Sequence, residues 1–424
     1  MKKITMLAVI MWAATAFAQD IAPTLQIDFL LAFGCNDLAE SNGTDAVGTT
    51  SCDYPAATTF SAGDFNWNGD IDSYYLSFCG IRNGDGSYYP FGDPIKPLAG
   101  SSDCSWIVGG TNYIYHDGTF FDGSAGVQTY WYKVITNAKG DAFVLGSTAA
   151  GPILAKFRGS DNTRLFVRNG IGGGAMTRDK GGNIYVASAS QVTKYAPDAT
   201  KVVYNATIPN AYISSIYVDA YRQLYITGQT GGGLPVLYAP QPLFGGESDA
   251  FLTVLSPTGK RIVYSSYAGG KGSDNAAGVS ADALGNAHIA GTDLSYEWDG
   301  RPDPCNSGYA NCSEMFYVAE FGPFRNSSVP EKLKFGVRQV GTTTAKKVLF
   351  KNLGNVSLNV TDIQVSGSEY GQTNVCNAAI KPDKTCAITV YFTPLSSGEH
   401  DGTLVVSSDS LTSPQQVKLT GQGR

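Results

Sequence analysis

Ile216-Tyr-Val-Asp-Ala-Tyr-Arg-Gln-Leu-Tyr-Ile-Thr-Gly228 and Val279-Ser-Ala-Asp-Ala-Leu-Gly-Asn-Ala-His-Ile-Ala-Gly291 are one phrase written twice. Val134-Ile-Thr-Asn-Ala-Lys-Gly-Asp-Ala-Phe-Val-Leu-Gly146 and Met176-Thr-Arg-Asp-Lys-Gly-Gly-Asn-Ile-Tyr-Val-Ala187 write it twice more. Each is an apolar run, a short Gly/Asn/Asp turn and a second apolar run, which reads as strand, tight turn, strand. Superposing Asp141, Asn183, Gln223 and Asn286 gives steps of 42, 40 and 63, the last lengthened by a Gly/Pro-rich insertion between Gly231 and Gly246. The base period is therefore about 41 residues.

A second hairpin follows the phrase, over 153–157, over 192–195 and 202–204, and over 250–255 and 261–267 around Pro257-Thr-Gly259. Four short strands at a period near 40 predict a β-propeller blade, a twisted sheet that must stack on neighbours to bury both faces. Residues 19–325 hold five to seven such blades at this spacing. Composition agrees with an all-β chain. Its 424 residues include 50 glycines and 19 prolines without a Gly-X-Y period, and 43% hydrophobic with 16% charged residues excludes disorder. The net charge of −6, with no long basic run, argues against a nucleic-acid partner.

Met1-Lys2-Lys3, an apolar run from Ile4 to Phe17 and the small-x-small triplet Ala16-Phe17-Ala18 read as a signal peptide, residues 1–18, cut after Ala18. The run is too short to span a bilayer. The expected location is secreted, periplasmic or at the cell surface, with no stable membrane insertion. Eight cysteines in an exported chain read as disulfides rather than zinc ligands. Proximity pairs Cys35 with Cys52, Cys79 with Cys104, Cys305 with Cys312 and Cys376 with Cys386.

The stretch from Ser248 to Thr292, containing Ser248-Asp-Ala-Phe-Leu-Thr-Val-Leu-Ser-Pro-Thr-Gly and Tyr267-Ala-Gly-Gly-Lys-Gly-Ser-Asp274, resembles the bacterial seven-bladed β-propeller repeat called SBBP. The blade around Gly182-Asn-Ile-Tyr-Val186 is also similar to NHL-type blades. The resemblance covers 134–322 and implies an exported propeller with little said about chemistry. Near Asn326-Ser-Ser-Val-Pro330 the composition shifts, which marks 326–330 as a linker. Beyond it, alternation predicts strands over 333–337, 346–352, 358–366, 386–392, 402–407 and 416–420, six or seven in all, so 331–424 reads as an immunoglobulin-like β-sandwich. Leu333-Lys-Phe-Gly-Val, Asn352-Leu-Gly-Asn355, Cys376 and Cys386-Ala-Ile-Thr-Val-Tyr-Phe-Thr-Pro394 resemble the ASPM/Hydin-like domain, often labelled choice-of-anchor D, which implies a spacer or interaction role.

Two segments are candidate sites. Asp64, Asn66, Asn68, Asp70 and Asp72 fall at loop positions 1, 3, 5, 7 and 9, with Gly69 at 6, the ligand spacing of a calcium loop. Tyr75 stands where a closing carboxylate belongs, so a turn feeding the next strand is the alternative. Tyr296, Trp298, Asp299 and Arg301 lie on one long connection and suit stacking on a sugar ring with hydrogen bonds to its hydroxyls, or else cover the propeller edge. Catalysis has little to draw on. The histidines are His116, His288 and His400, and His288 takes the strand position of Phe143, Tyr185 and Tyr225. Gly172-Gly-Gly174 and Gly231-Gly-Gly233 lack the Lys-Ser/Thr of a phosphate loop and read as turns. The expected function is an exported binding or cell-surface interaction protein with an extracellular glycan or protein partner. A polysaccharide-cleaving propeller enzyme and a structural matrix component are the alternatives.

Overall fold

The repeated phrase folds into antiparallel sheets in a computed structural model of the chain. The structure describes residues 121–293 and 315–424, except 125, 138 and 283; before 121 it describes backbone strands alone, and of 290, 292–293 and 315–318 the backbone only. Two compact units divide the described chain, Thr24–Gly322 and Pro323–Arg424.

The first unit begins with β1 (Leu25–Leu30), followed by a sheet of β2 (Leu38–Glu40), β3 (Val47–Thr49), β4 (Phe60–Phe65) and β5 (Ile71–Leu76). A hairpin joins β6 (Gly80–Arg82) to β7 (Tyr88–Pro90). β8 (Trp106–Val108), β10 (Tyr113–His116) and β11 (Thr119–Asp122) form a three-stranded sheet, and β9 (Gly110–Thr111) pairs onward with β12. The blades that carry the phrase come next. The first is β12 (Thr129–Thr136), β13 (Ala142–Thr148), β14 (Gly151–Phe157) and β15 (Arg164–Asn169). The second is β16 (Ala175–Arg178), β17 (Ile184–Ser188), β18 (Gln191–Tyr195) and β19 (Val202–Thr207). β20 (Ala211–Val218), β21 (Leu224–Thr230), β22 (Asp249–Leu255) and β23 (Ile262–Ala268) make the third. β24 (Asp274–Ala281), β25 (Ala287–Asp293) and β26 (Met315–Phe321) make most of the fourth.

The fourth strand of that last sheet is β1. It pairs antiparallel with β26 from Leu25 opposite Phe321 to Leu30 opposite Phe316. The two ends of the unit thus share one blade, while β2, the first strand of the next sheet, lies beside β24. That closes the ring and identifies a propeller rather than an open stack. Among the described strands of the first unit five sheets have four or more members, in keeping with five to seven blades.

Neighbouring blades bury apolar faces against one another. Phe143, Leu145 and Leu154 of one blade pack with Met176, Ile184 and Val186 of the next, and Tyr185, Ala187 and Val192 then pack with Ile213, Leu224 and Phe251. A glycine explains a recurring detail of these sheets. β12, β20 and β24 each carry a bulge, at Trp131/Lys133, Ile213/Ser215 and Ala276/Gly278, and a glycine of the paired strand faces it. A Cβ on Gly228 would sit 1.9 Å from the Tyr212 carbonyl oxygen, and one on Gly291 1.8 Å from that of Asn275. β16 has no bulge: it starts at Ala175, opposite Ala187, and the equivalent place in its partner strand is Ser188.

The second unit is a sandwich of two four-stranded sheets. β27 (Ser327–Ser328), β29 (Thr344–Asn352), β32 (Thr385–Phe392) and β31 (Tyr370–Asn374) form one. β28 (Lys332–Arg338), β34 (Gln415–Gly423), β33 (Gly398–Ser408) and β30 (Val360–Ser366) form the other, with β28 and β34 parallel. Phe335, Val348, Phe350, Ile388, Phe392, Leu404 and Val417 fill the space between them. Of the four expected disulfides, Cys376–Cys386 is present, and the other six cysteines lie outside the described residues.

The segment 326–330, which composition marks as a connection, is built into this unit. β27 pairs with β29, the Asn326 carbonyl accepts from Leu353 and Gly354 N–H, and Gln415 Nε2 donates to Ser327 O at 2.8 Å. Its polar residues answer to hydrogen bonds in the sandwich rather than to solvent. The strands 358–366 and 416–420 appear as β30 and β34 with shifted ends. β27 and β31 are additions that no alternation announces.

Candidate functional site

In an antiparallel blade, the first and third turns lie at one end and the second turn, with the connector to the next blade, at the other. The two ends of this propeller differ sharply. At the first end every repeat closes through the same short turn. Asp179 Oδ1 accepts from Asn183 N–H at 3.0 Å and Oδ2 from Asn183 Nδ2 at 2.8 Å. Asp219 with Gln223 and Asp282 with Asn286 repeat the arrangement, and Asn137 with Asp141 inverts it. The fourth turn residue has positive φ, as Gly140, Gly182, Arg222 and Gly285.

What stands over these turns differs from blade to blade. Lys194 reaches Asp179 at 3.3 Å across the Tyr185 ring, and Lys156 reaches Asp141 at 2.9 Å beside Phe143. Burial works to raise the Asp179 carboxyl, but the Asn183 donors and Lys194 outweigh it and hold the group below its usual range. At Asp219 the place of Lys194 is taken by Val254, opposite Tyr225. Burial then pushes Asp219 up to about 6, against the donors of Gln223 and Tyr221. In the last blade His288, 5% exposed, lies 3.4 Å from Glu320, so it is a packed strand residue, as its place in the repeat implies. His400 belongs to the sandwich, where Nδ1 lies 3.5 Å from Glu369 and Nε2 lies 2.9 Å from Ser396 O.

The second end carries the length. The β13–β14 and β17–β18 connections are two-residue turns, whereas β21 and β22 are joined by 231–248 and β25 and β26 by 294–314. Gly232 and Gly233 turn the chain with φ of 101° and 73° at the start of the first insertion. It then adds to the blade's edge: Leu237 and Ser265 exchange backbone bonds of 2.9 Å, and Leu234 N–H donates to Tyr267 Oη. Gln241 clamps Gly269 at two points, Nε2 to its carbonyl at 2.8 Å and Oε1 from its N–H at 3.1 Å. Leu243, 76% exposed, projects from this insertion, and Tyr130 and Tyr212 are exposed at the same end, at the starts of β12 and β20. A rigid rim bearing exposed aromatic and aliphatic groups suits recognition.

Of the residues predicted from sequence, Asp64 and Asp72 lie in β4 and β5, whose hairpin pairs Phe65 with Ile71. Asn66, Asn68 and Asp70 fall outside the described residues, as do Tyr296, Trp298, Asp299 and Arg301. Among the described residues no group of three His, Cys, Asp or Glu side chains could hold a metal, and no helix is long and apolar enough to cross a membrane. Asp249 and Asp274, both fully buried, were not singled out by motif. Their signal was the twice-written Gly-Gly…Ser-Asp of 245–249 and 269–274.

The comparisons place only the second unit. The model of the HYDIN/CFA65/VesB-like Ig-like domain matches residues 328–424. No curated protein shows significant similarity to the chain. Among solved structures, the human CEP192 ASH/PapD-like domain 7 is 11% identical, covering 23% of this chain and 85% of its own, with a TM-score of 0.20. A Bacteroides caccae protein of unknown function is 14% identical, covering 64% and 85%, with a TM-score of 0.32. The WD40 β-propeller domain of Doa1 is 9% identical, covering 71% and 97%, with a TM-score of 0.37. The architecture stands on strand pairing rather than on these scores. The chain is an all-β protein, a β-propeller followed by an immunoglobulin-like domain.

Proposed function

We propose that this is an exported interaction protein of the SBBP propeller type, whose recognition surface is the end that carries the two long connections. One observation carries the reading: 231–248 and 294–314 leave adjacent blades from the same end, while the described turns of the opposite end stay short and uniform. Tyr296, Trp298, Asp299 and Arg301 belong to the second connection and supply stacking and hydrogen-bonding groups for an extracellular glycan or protein. The acidic net charge disfavours nucleic acid. The leader, cut after Ala18, accounts for export to the periplasm, cell surface or medium, and the sandwich serves as spacer or second contact. Calcium bound through Asp64, Asn66, Asn68, Asp70 and Asp72 would rigidify the β4–β5 hairpin.

The test uses the purified mature chain on a glycan array and in cross-linking to cell-surface proteins. Replacing 294–314 by a four-residue turn is expected to abolish retention while leaving the melting transition in place. Retention that survives the replacement would move the surface elsewhere. Melting with and without EDTA checks the calcium reading, and an unchanged midpoint removes it.

A further inference from the structure

The second end also holds two carboxylates that no recognition role explains. Asp249 at the head of β22 and Asp274 at the head of β24 are both 0% exposed. Each closes the glycine loop just before it: Gly245 N–H donates to Asp249 Oδ2 at 2.8 Å, and Gly270 N–H to Asp274 Oδ2 at 2.7 Å. Both face the same small space. A Cβ on Gly269 would meet Asp274 Oδ2 at 2.7 Å and Asp249 Oδ1 at 2.9 Å. Asp249 Oδ1 is buried and has no hydrogen-bond partner among the described residues.

Around this pair the two loops touch backbone to backbone. Side chains on Gly245 or Gly246 would strike the carbonyls of Gly270 and Lys271, and Glu247 and Ser248 N–H both donate to Gly272 O. The insertion 231–248 is therefore fastened to the next blade through a junction that has two buried acids at its centre. Among the described residues the charged groups on the packed elements are Asp274, Lys271 in the same connector, and Glu247, which accepts from Ser273 Oγ at 3.2 Å. Two ionised carboxylates side by side out of water repel, and a proton on Asp249 removes the repulsion and gives its Oδ1 a donor.

We propose that the Asp249–Asp274 pair is a proton-operated latch, holding the 231–248 connection against the next blade in acid and loosening it as pH rises. As regulation of the recognition surface it rests on the function proposed above; as a property of the loop it stands alone. Burial pushes the Asp249 carboxyl up to about 6, against the N–H groups of Gly245 and Gly246. A group raised in the closed state stabilises that state at low pH and loses the effect as pH climbs through its titration. Between pH 5 and 7 the open fraction of the loop should rise about tenfold.

The experiment is hydrogen exchange by mass spectrometry on the mature chain at pH 5 and 7, corrected for intrinsic rates. Peptides of 231–248 are read against peptides of β16–β19 in the same molecule. The latch predicts a tenfold rise confined to 231–248 in the wild type, and none in Asp249→Asn, whose amide keeps the acceptor and supplies a permanent donor. Asp274→Asn should shrink the rise by removing the facing charge. A pH response equal in 231–248 and β16–β19, or unchanged in Asp249→Asn, would overturn the proposal. Should Asp249→Asn fail to fold, the internal reference and Asp274→Asn still decide. Because no ligand is present, failure here leaves the recognition surface untouched.

Discussion

Blade β16–β19 and blade β20–β23 are built on the same phrase, yet they solve the same buried turn in opposite ways. In the first, Asp179 sits under Lys194, a glycine takes the positive-φ position, the inner strand is regular, and Ser188 holds the place of the bulge glycine. In the second, Val254 replaces the lysine, Arg222 holds a φ of 66°, and Gly228 admits a bulge. The turn itself survives every change, because its aspartate is satisfied by the backbone and side chain four residues on. The cation is an addition that decides the state of the carboxyl and not the geometry of the turn.

The strongest way to break the comparison is to remove the cation where it exists. Lys194→Met leaves Asp179 buried without its partner, and unpairing a buried ion costs about 3–5 kcal/mol. Thermal melting should drop accordingly, and the Asp179 carboxyl should move up toward the value of Asp219. Gly228→Ala puts a Cβ opposite the bulge, where it meets the Tyr212 carbonyl. Denaturant unfolding should register a loss of about 2–4 kcal/mol, and the reciprocal Ser188→Gly in the unbulged blade a loss of about 0.5–1 kcal/mol.

Asp219→Asn sharpens the contrast by copying Asn137 of the first blade. The folded carboxyl titrates near 6 and its ordinary value is 3.8, so folding takes up a proton between them and wild-type stability falls as pH rises through that window. Asp219→Asn should therefore be more stable than wild type by about 1–3 kcal/mol at pH 8, with the gain gone by pH 3.5. Equal gains at both pH values would refute a titrating Asp219. The smallest effect belongs to Arg222→Gly, expected to stabilise by about 0.5–1 kcal/mol through relief of the left-handed backbone, measurable by denaturant midpoint.

The sequence made the blades legible because their turns are local. Asp, Gly and Asn within five residues carry both the hydrogen bonds and the φ they need. The same locality hid what depends on distant partners. Lys194 and Val254 become comparable only once the third strand is set opposite Tyr185 and Tyr225. β1 carries no trace of the phrase, and its partner β26 lies almost the length of the propeller away. Asn326 and Ser327 read as linker because they are polar, although their polarity is spent on buried hydrogen bonds. Asp249 and Asp274 stood in plain view after paired glycines, but only burial distinguishes such acids from ordinary turn residues. His288 could be placed by its position in the repeat, since periodicity fixes which face of the strand it takes.

All of this presumes a closed wheel, and the closure is held by β1 against β26. Ile27 and Ala319 are register partners across that seam. Changing both to cysteine and mapping disulfides in the folded monomer tests it directly, since opposed residues in such a pair lie about 4.5–5.5 Å apart. A closed propeller yields a 27–319 bridge on mild oxidation, with the native pairings retained. Free thiols at both positions in a folded chain would contradict it.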